Sequence, residues 1–293
     1  MTSLDLDSKP PWLRTRGLSP FNSSEVRRTL SAGLRTVCDS SRCPNLGECW
    51  GSGHATFMIL GERCTRNCRF CAIPSGRPEG GVDEGEPERL AEAVRSLGLK
   101  HVVITSVTRD DLEDGGAGIF AAAVRTIRWM VPNTGVEVLI PDLQGNKESL
   151  EKVVDSSPDV LGHNLEVVRS LQWVRDPKAS YERSLDVLQM AKRFDPSSLT
   201  KSSLMLGLGE QRGEIRQAML DLLSAKVDLL TLGQYLPPLG SSLPLHRYVL
   251  PSEFDELREM ARSLGFKGVM AGPLVRSSYK ALDLMREAGV GRC

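Results

Sequence analysis

From residue 55 onward the chain alternates between two kinds of apolar pattern. Short apolar runs at 55–60, 101–107, 136–140, 159–165, 203–208 and 228–232 read as strands. Between them, at 87–97, 119–130, 147–155, 181–194 and 213–225, apolar residues recur at helical spacing. In the last of these segments Ile215, Met219, Leu222 and Leu223 form a core-facing stripe. Pro87 suits a first helical turn, Gly98 a C-terminal stop and Asn146 an N-cap. A further helix at 252–264, an apolar run at 269–275 and a last helix at about 278–287 follow.

Strands alternating with helices imply right-handed βαβ units and a parallel sheet. The expected fold is α/β, a partial (β/α)6 TIM-like barrel short of the eight units of a closed one. N-terminal and C-terminal extensions are expected to cover its mouth. An open doubly wound sheet is the structural alternative. The expected division is an N-terminal extension over 1–54, a barrel core over 55–250 and a C-terminal extension over 251–293. Residues 1–54 are punctuated by Pro10, Pro11, Pro20 and Pro44, with a short helix at 23–34 capped by Ser23 or Ser24.

The length of 293 residues suits one large domain or two modest ones, and 40% hydrophobic residues suffice for a substantial core. Thirty-seven basic residues balance 37 acidic ones, so no global field favours nucleic acid or a membrane surface. No stretch approaches the roughly eighteen apolar residues of a membrane span. The first eleven residues carry Asp5, Asp7 and Lys9 without an apolar h-region, unlike a secretory signal. The expectation is a soluble, cytoplasmic monomer that binds neither nucleic acid nor membrane.

The cysteines say more. Six of the seven fall between Cys38 and Cys71. Cys64, Cys68 and Cys71 are spaced CxxxCxxC, directly after the first apolar run. Three thiolates so placed can hold three corners of an iron–sulfur cube, leaving one iron open to a small molecule. The loop follows the C-terminal end of the first strand, where parallel α/β folds bind their ligands. Upstream, Cys38, Cys43 and Cys49 form CxxxxCxxxxxC. Their polar, Gly- and Pro-bearing flanks are unlike a core. A long chain without a secretory signal argues against a disulfide framework. Zinc, in a non-catalytic interaction protein, is the alternative metal. Cys293 reads as an exposed thiol with no role.

With Phe70 beside its last cysteine, Cys64-x3-Cys68-x2-Cys71 resembles the motif of the radical S-adenosylmethionine superfamily. Further segments narrow the resemblance to the lipoyl synthase family, over about residues 35 to 285. They are Cys38-x4-Cys43-x5-Cys49, Phe57-Met58-Ile59-Leu60-Gly61 and Gly162-His163-Asn164-Leu165-Glu166. Gly207-Leu208-Gly209-Glu210, Leu232-Gly233-Gln234-Tyr235-Leu236 and Gly272-Pro273-Leu274-Val275-Arg276-Ser277-Ser278-Tyr279 complete them. His54 and Ser203 depart from the family, which has a small or hydroxylated residue at the first position and glycine at the second.

The resemblance implies that Cys64, Cys68 and Cys71 hold a 4Fe–4S cluster whose open iron chelates S-adenosylmethionine. Reductive cleavage then yields a 5′-deoxyadenosyl radical able to take hydrogen from an unactivated carbon. It also implies that Cys38, Cys43, Cys49 and Ser278 ligate an auxiliary 4Fe–4S cluster. That second cluster would be consumed as the sulfur donor at carbons six and eight of an octanoyl chain on a protein lysine. The implied partners are octanoylated lipoyl carrier domains, namely acyltransferase subunits of 2-oxoacid dehydrogenases and the H protein of glycine cleavage. An electron donor such as ferredoxin or flavodoxin and an iron–sulfur cluster carrier are implied as well. Another dual-cluster sulfur-inserting enzyme, a methylthiotransferase or a biotin-synthase-like one, is the alternative within the superfamily.

Other candidates rest on position. Asn164 and Glu166, at or just beyond a strand end, suit contacts to the nucleoside or methionine portion, or a turn residue and a cap. Glu210 follows two glycines that permit close backbone approach and suits an adenosine hydroxyl. Thr105, Ser106 and Arg109 end the second strand and suit the methionine pocket. Arg276 suits a surface charge or a brace at the auxiliary site equally, and the segment from Arg276 to Tyr279 also suits a helix N-cap. His54, His101, His163 and His246 read as hydrogen-bonded structural residues.

Overall fold

The computed structural model describes residues 9–14, 33–40, 43, 45–238 and 240–289. The helix expected at 23–34 falls almost wholly outside these residues, and Cys293 lies outside them too. Among the described residues one sheet contains eight strands in sequence order. Strand β1 (Arg35–Thr36) runs antiparallel to β2 (His54–Ile59). Then come β3 (His101–Ser106), β4 (Gly135–Leu139), β5 (Val160–Gly162), β6 (Leu199–Leu206), β7 (Leu229–Gln234) and β8 (Gly268–Gly272). Each is parallel to the strand before it, and β1 and β8 do not pair, so the barrel stays open. The run at 269–275 thus supplies a seventh parallel strand beyond the six of the expected barrel.

Two short helices, α1 (Val37–Ser40) and α2 (Leu46–Gly51), belong to the N-terminal extension. The crossovers are α3 (Glu86–Ser96), α4 (Ala117–Met130), α5 (Lys147–Val154), α6 (Tyr181–Phe194), α7 (Arg212–Ser224) and α8 (Pro251–Leu264). Local chemistry sets their starts. The Asn146 side chain accepts from the Ser149 amide and the Ser180 side chain from the Arg183 amide, while α3 and α8 carry proline in the first turn. Their apolar faces cover the outside of the sheet. Leu90, Val94, Phe120, Val124 and Ile127 pack with Val102, Ile104, Val136 and Val138 on one half. Ile215, Met219, Leu222, Phe254 and Leu257 pack with Leu204, Leu206, Leu230 and Leu232 on the other.

The period-two alternation sends the other residues of each strand into the barrel. There the lining turns polar. Lys201 Nζ lies 2.7 and 3.0 Å from the Glu137 carboxylate, with both side chains only 2% exposed. His101 Nε2 lies 3.8 Å from the same carboxylate.

Both extensions reach further down the barrel than its mouth. After β8 the chain returns along the open side, and α9 (Ala281–Glu287) crosses the opposite, lower end. Its Leu282, Leu284 and Met285 cover Val160, Leu199 and Leu229, the first residues of β5, β6 and β7. Burying these apolar strand starts fixes the helix there.

Candidate cluster-binding sites

The cysteine loop begins five residues after β2 and is tied to its neighbours through the backbone. Cys64 N–H donates to Pro74 O and Gly76 N–H to Cys64 O, each at 2.9 Å, closing the loop on itself. Thr65 N–H and Oγ1 both donate to Thr108 O at 3.0 Å, beyond β3. Arg69 N–H donates to Val174 O at 2.8 Å and Asn67 N–H to Asp176 Oδ2 at 2.8 Å, beyond β5. The loop is therefore held at the C-terminal ends of the strands, as its position after the first apolar run suggests.

Each sulfur of this triplet accepts a backbone amide. Cys64 Sγ accepts from Arg66 N–H at 3.4 Å and Thr108 N–H at 3.3 Å. Cys68 Sγ accepts from Asp176 N–H at 3.3 Å and Cys71 Sγ from Ile73 N–H at 3.4 Å. Such bonds stabilise charge on sulfur and tune iron–sulfur centres. Burial pushes the Cys68 thiol above its ordinary value, with the Asp176 amide pulling the other way. A bound metal reverses that balance by displacing the proton.

Arg66, inside the loop, makes the strongest tie. Its Nε and Nη2 donate to Asp110 at 2.9 Å each, and its Nη1 and Nη2 to Asp142 at 2.9 and 2.6 Å. One buried guanidinium thus joins the cysteine loop to the ends of β3 and β4. Burial alone would raise the Asp142 carboxyl, but Arg66 holds it below its ordinary value.

A cavity of about 190 Å³ adjoins the three cysteines and is lined by Thr105, Ser106, Asn164 and Glu166 as well. Four of the six residues expected to contact the cofactor are therefore brought together. Ser106 Oγ is buried there without a hydrogen-bond partner, a vacancy that suits a polar ligand. Asn164 Nδ2 donates to Glu166 Oε1 at 3.1 Å. Glu166 has φ of 71°, a left-handed conformation costing a residue with a Cβ roughly 1–2 kcal/mol. Burial raises its carboxyl above the ordinary value, opposed by Arg175 across the cavity.

Arg109 and Glu210 do not join them. Arg109 turns away to pair with Asp111 at 2.8 and 2.9 Å and to donate to Leu60 O at 3.2 Å. Both oxygens of Glu210 accept backbone amides, from Gly207 at 2.7 Å and Leu208 at 2.9 Å. Each is a buried side chain spent on holding a loop. Arg66 and Arg175 are the residues missed from the sequence. Arg66 sat inside the motif, but its acidic partners lie 44 and 76 positions away.

The second triplet gathers around a narrow cavity of about 30 Å³ lined by Cys38, Cys43, Cys49 and Ser278, with Arg276, His54, His101 and Val103. The thiols lie close enough to perturb one another. Burial, then Cys38 and Cys43, push Cys49 up to about 12, and burial, then Cys43, raise Cys38. Four donor side chains around one space, three of them mutually repelling as anions, fit a multinuclear cation. Among the described residues no three His, Cys, Asp or Glu side chains are placed to hold a single metal ion.

Side chains from the cysteine segment hold the serine segment in place. Asn45 Nδ2 donates to Leu274 O at 2.6 Å. Tyr279 Oη donates to Glu48 Oε2 at 3.0 Å, and Lys280 Nζ lies 2.9 Å from Glu48 Oε1. Arg276 Nη1 donates to Gln234 O at 3.3 Å, bracing the segment against the end of β7. Gly233 makes room for it, since a Cβ there would lie 2.2 Å from Val275 O. The two serines do not cap α9, whose N-cap is Lys280 with no side-chain cap bond.

The two cavities share one strand. His101 and Val103 line the second and Thr105 lines the first, all on the inward face of β3. Val103 and Thr105 are two residues apart, about 7 Å along a strand. The histidines meet expectation only in part. His163 is satisfied, its Nδ1 2.9 Å from Ile140 O and Nε2 3.0 Å from Ser184 Oγ, and burial lowers it to about 4. His54 and His101, by contrast, carry buried ring nitrogens without partners.

A parallel partial barrel with a three-cysteine loop at its mouth and a polar cavity beside it defines a radical S-adenosylmethionine enzyme. The model of the radical SAM superfamily matches residues 58–222. Solved structures share the fold. The [FeFe]-hydrogenase maturase HydG superposes with a TM-score of 0.61 at 17% identity, over 83% of this chain and 57% of its own. Methylornithine synthase superposes at 0.55 and 13% identity, over 94% of this chain and 82% of its own. Lipoyl synthase of Halorhodospira halophila is 53% identical over 285 residues, 97% of this chain and 85% of that one. Lipoyl synthase of Pyrobaculum aerophilum is 55% identical over 283 residues, 95% of this chain and 97% of that one. The chain belongs to the lipoyl synthase family, and is a radical SAM sulfurtransferase. Membership brings a 4Fe–4S cluster and S-adenosylmethionine. Among the described residues no helix is long and apolar enough to cross a membrane.

Proposed function

We propose that this chain inserts sulfur at carbons six and eight of an octanoyl group carried on a lysine of a lipoyl carrier domain. The observation behind this reading is the second cavity. Its four donors line a cavity that shares β3 with the cavity beside the radical loop, at lining residues two positions apart. When bound, a cluster on Cys64, Cys68 and Cys71 with S-adenosylmethionine would supply the 5′-deoxyadenosyl radical, and an auxiliary cluster on Cys38, Cys43, Cys49 and Ser278 the sulfur.

The protein supplies aim and shelter. Amides of Arg66, Thr108, Asp176 and Ile73 bond to the loop sulfurs, and Arg66 fixes the loop to the barrel. Ser106, Asn164, Glu166 and Thr105 orient S-adenosylmethionine, while Arg109 and Glu210 support the walls behind them. Ser278 is the oxygen donor of the second site, held there by Glu48 and Asn45. In this reading residues 1–54 and 251–293 complete the second site around the 55–250 core. The carriers are acyltransferase subunits of 2-oxoacid dehydrogenases and the glycine cleavage H protein. A ferredoxin or flavodoxin supplies electrons, an iron–sulfur carrier restores clusters, and the enzyme works as a cytoplasmic monomer.

Anaerobic reconstitution tests this. The protein is expected to hold about eight irons, and a Cys38→Ala/Cys43→Ala/Cys49→Ala variant about four. With an octanoyl-lysine peptide, reductant and S-adenosylmethionine, the wild type forms 5′-deoxyadenosine and thiolated peptide. The triple variant and Ser278→Ala form 5′-deoxyadenosine with little or no thiolated peptide. Full thiolation by the triple variant refutes the assignment of the sulfur donor, and no 5′-deoxyadenosine from the wild type refutes the whole reading.

A further inference from the structure

Two buried ring nitrogens beside the auxiliary cysteines have no partner. Trp50, on α2 directly after Cys49, is 3% exposed, and its Nε1 makes no hydrogen bond. Burial, then Cys43, raises the Cys38 thiol, while the Thr56 amide and the Trp50 indole oppose them. The indole N–H thus faces the Cys38 sulfur without closing on it. His54 is 8% exposed, and its Nδ1 is likewise buried and unpartnered. The His54 ring borders both the auxiliary cavity and an open cavity of about 260 Å³ at the lower end of the barrel. Its buried nitrogen belongs on the closed, auxiliary side.

His101 lines the same auxiliary cavity, its ring 6.2 Å from that of His54, but its nitrogens turn to β4. Its Nε2 lies 3.8 Å from Glu137, and its Nδ1 would lie 2.6 Å from a Cβ on Gly135. Trp50 and His54 are left as side-chain donors for the auxiliary site. A buried donor without an acceptor is costly, so each calls for a partner. Sulfide and thiolate can only accept. A neutral imidazole facing an acceptor carries its proton on the facing nitrogen. Burial, then His101, lowers His54, which favours that neutral ring.

We infer that Trp50 Nε1–H and His54 Nδ1–H donate hydrogen bonds to sulfur atoms of the auxiliary cluster and so raise its reduction potential. The inference rests on the proposed function, which puts that cluster on Cys38, Cys43, Cys49 and Ser278. Such bonds strengthen as negative charge builds on sulfur, and therefore favour the reduced cluster. Sulfur donation makes this matter. When a carbon radical bonds to a sulfide, the carbon brings one electron and the sulfide two. The new bond keeps two, and the third passes to iron, ferric becoming ferrous. Donors that stabilise the added electron favour that step. His54 stands where the family has a small or hydroxylated residue, so the second donor is particular to this chain.

The test uses the full chain carrying Cys64→Ala/Cys68→Ala/Cys71→Ala, expected to hold the auxiliary cluster alone, about four irons. The protein is labelled with ¹⁵N-tryptophan or ¹⁵N-histidine and the cluster is reduced. Pulsed paramagnetic resonance is expected to show one coupled ¹⁵N from each label. Trp50→Phe removes the first coupling and His54→Leu the second. Each variant also lowers the ratio of reduced to oxidised cluster at a fixed potential, by about fivefold. His54→Asn, which returns an N–H near the Nδ1 position, recovers most of that ratio. A label that shows no coupling in the parent overturns that donor, whatever its variant does. Ratios within about twofold of the parent's in both variants, with the iron retained, overturn the effect on potential. A parent that takes up no iron overturns instead the reading of the second site on which the inference rests.

Discussion

Replacing Arg66 by methionine removes four charge-assisted hydrogen bonds of 2.6 to 2.9 Å at once. It leaves Asp110 and Asp142, 8% and 0% exposed, facing each other without the cation between them. Breaking a buried pair from one side costs about 3–5 kcal/mol. Lys178 at 3.8 Å from Asp110 and Arg183 at 3.4 Å from Asp142 offset part of this, which favours the lower figure. Because Arg66 lies inside the cysteine loop, the loss falls mainly on loop opening. About 3 kcal/mol then corresponds to roughly a hundredfold increase in the open population. Arg66→Lys keeps the charge but loses the planar fork, and about a tenfold increase is expected. The assay is chelator extraction of iron in the Cys38→Ala/Cys43→Ala/Cys49→Ala background, where the radical loop holds the iron. The expected order of release is wild type, then lysine, then methionine. Release from Arg66→Met within about threefold of wild type would show that the backbone ties alone hold the loop, and would refute the role given to Arg66.

Two further outcomes follow from close contacts and burial. Gly233→Ala drives a Cβ against the Val275 carbonyl, so about 1–3 kcal/mol of stability is lost and the 275–279 segment shifts. Iron counting then shows loss from the auxiliary site with the radical loop still loaded, and an intact complement of both rejects the coupling. His163, lowered to about 4 against an ordinary 6.5, gives the unfolded chain the greater proton uptake between those values. Stability of the metal-free protein therefore falls as pH drops from about 6.5 to 4, by up to about 3 kcal/mol, and this contribution is flat below. His163→Gln is expected to flatten that interval in urea titrations, and an unaltered slope contradicts it.

The helices were legible wherever their signals are local. Asn146 and Pro87 mark starts that the structure keeps within a residue or so. Strand β6 was expected from residue 203 but begins at Leu199. Its first residues, Thr200-Lys201-Ser202, are polar: Lys201 faces the barrel interior and finds its carboxylate 64 positions away, while Thr200 Oγ1 donates to Lys226 O and Ser202 Oγ accepts from Leu165 N–H. No window of sequence displays such a partner. The last helix begins at Ala281, three residues later than its pattern suggests, because Lys280 adopts a left-handed φ of 47°. The cysteine triplets were legible for the same reason as the helices, since each is packed into a few residues. Direction was not. Arg109 and Glu210 occupy the right strand ends, yet both turn to satisfy backbone groups.

The latch between Glu48 and Tyr279 joins positions 231 residues apart. The radical loop, by contrast, is complete within eight consecutive residues. A nascent chain accordingly exposes Cys38, Cys43 and Cys49 long before Ser278, which lines the same cavity, has been translated. Three upstream sulfurs wait, unroofed, through most of synthesis. A ribosome stalled ahead of Ser278 thus leaves that cavity lacking its final wall.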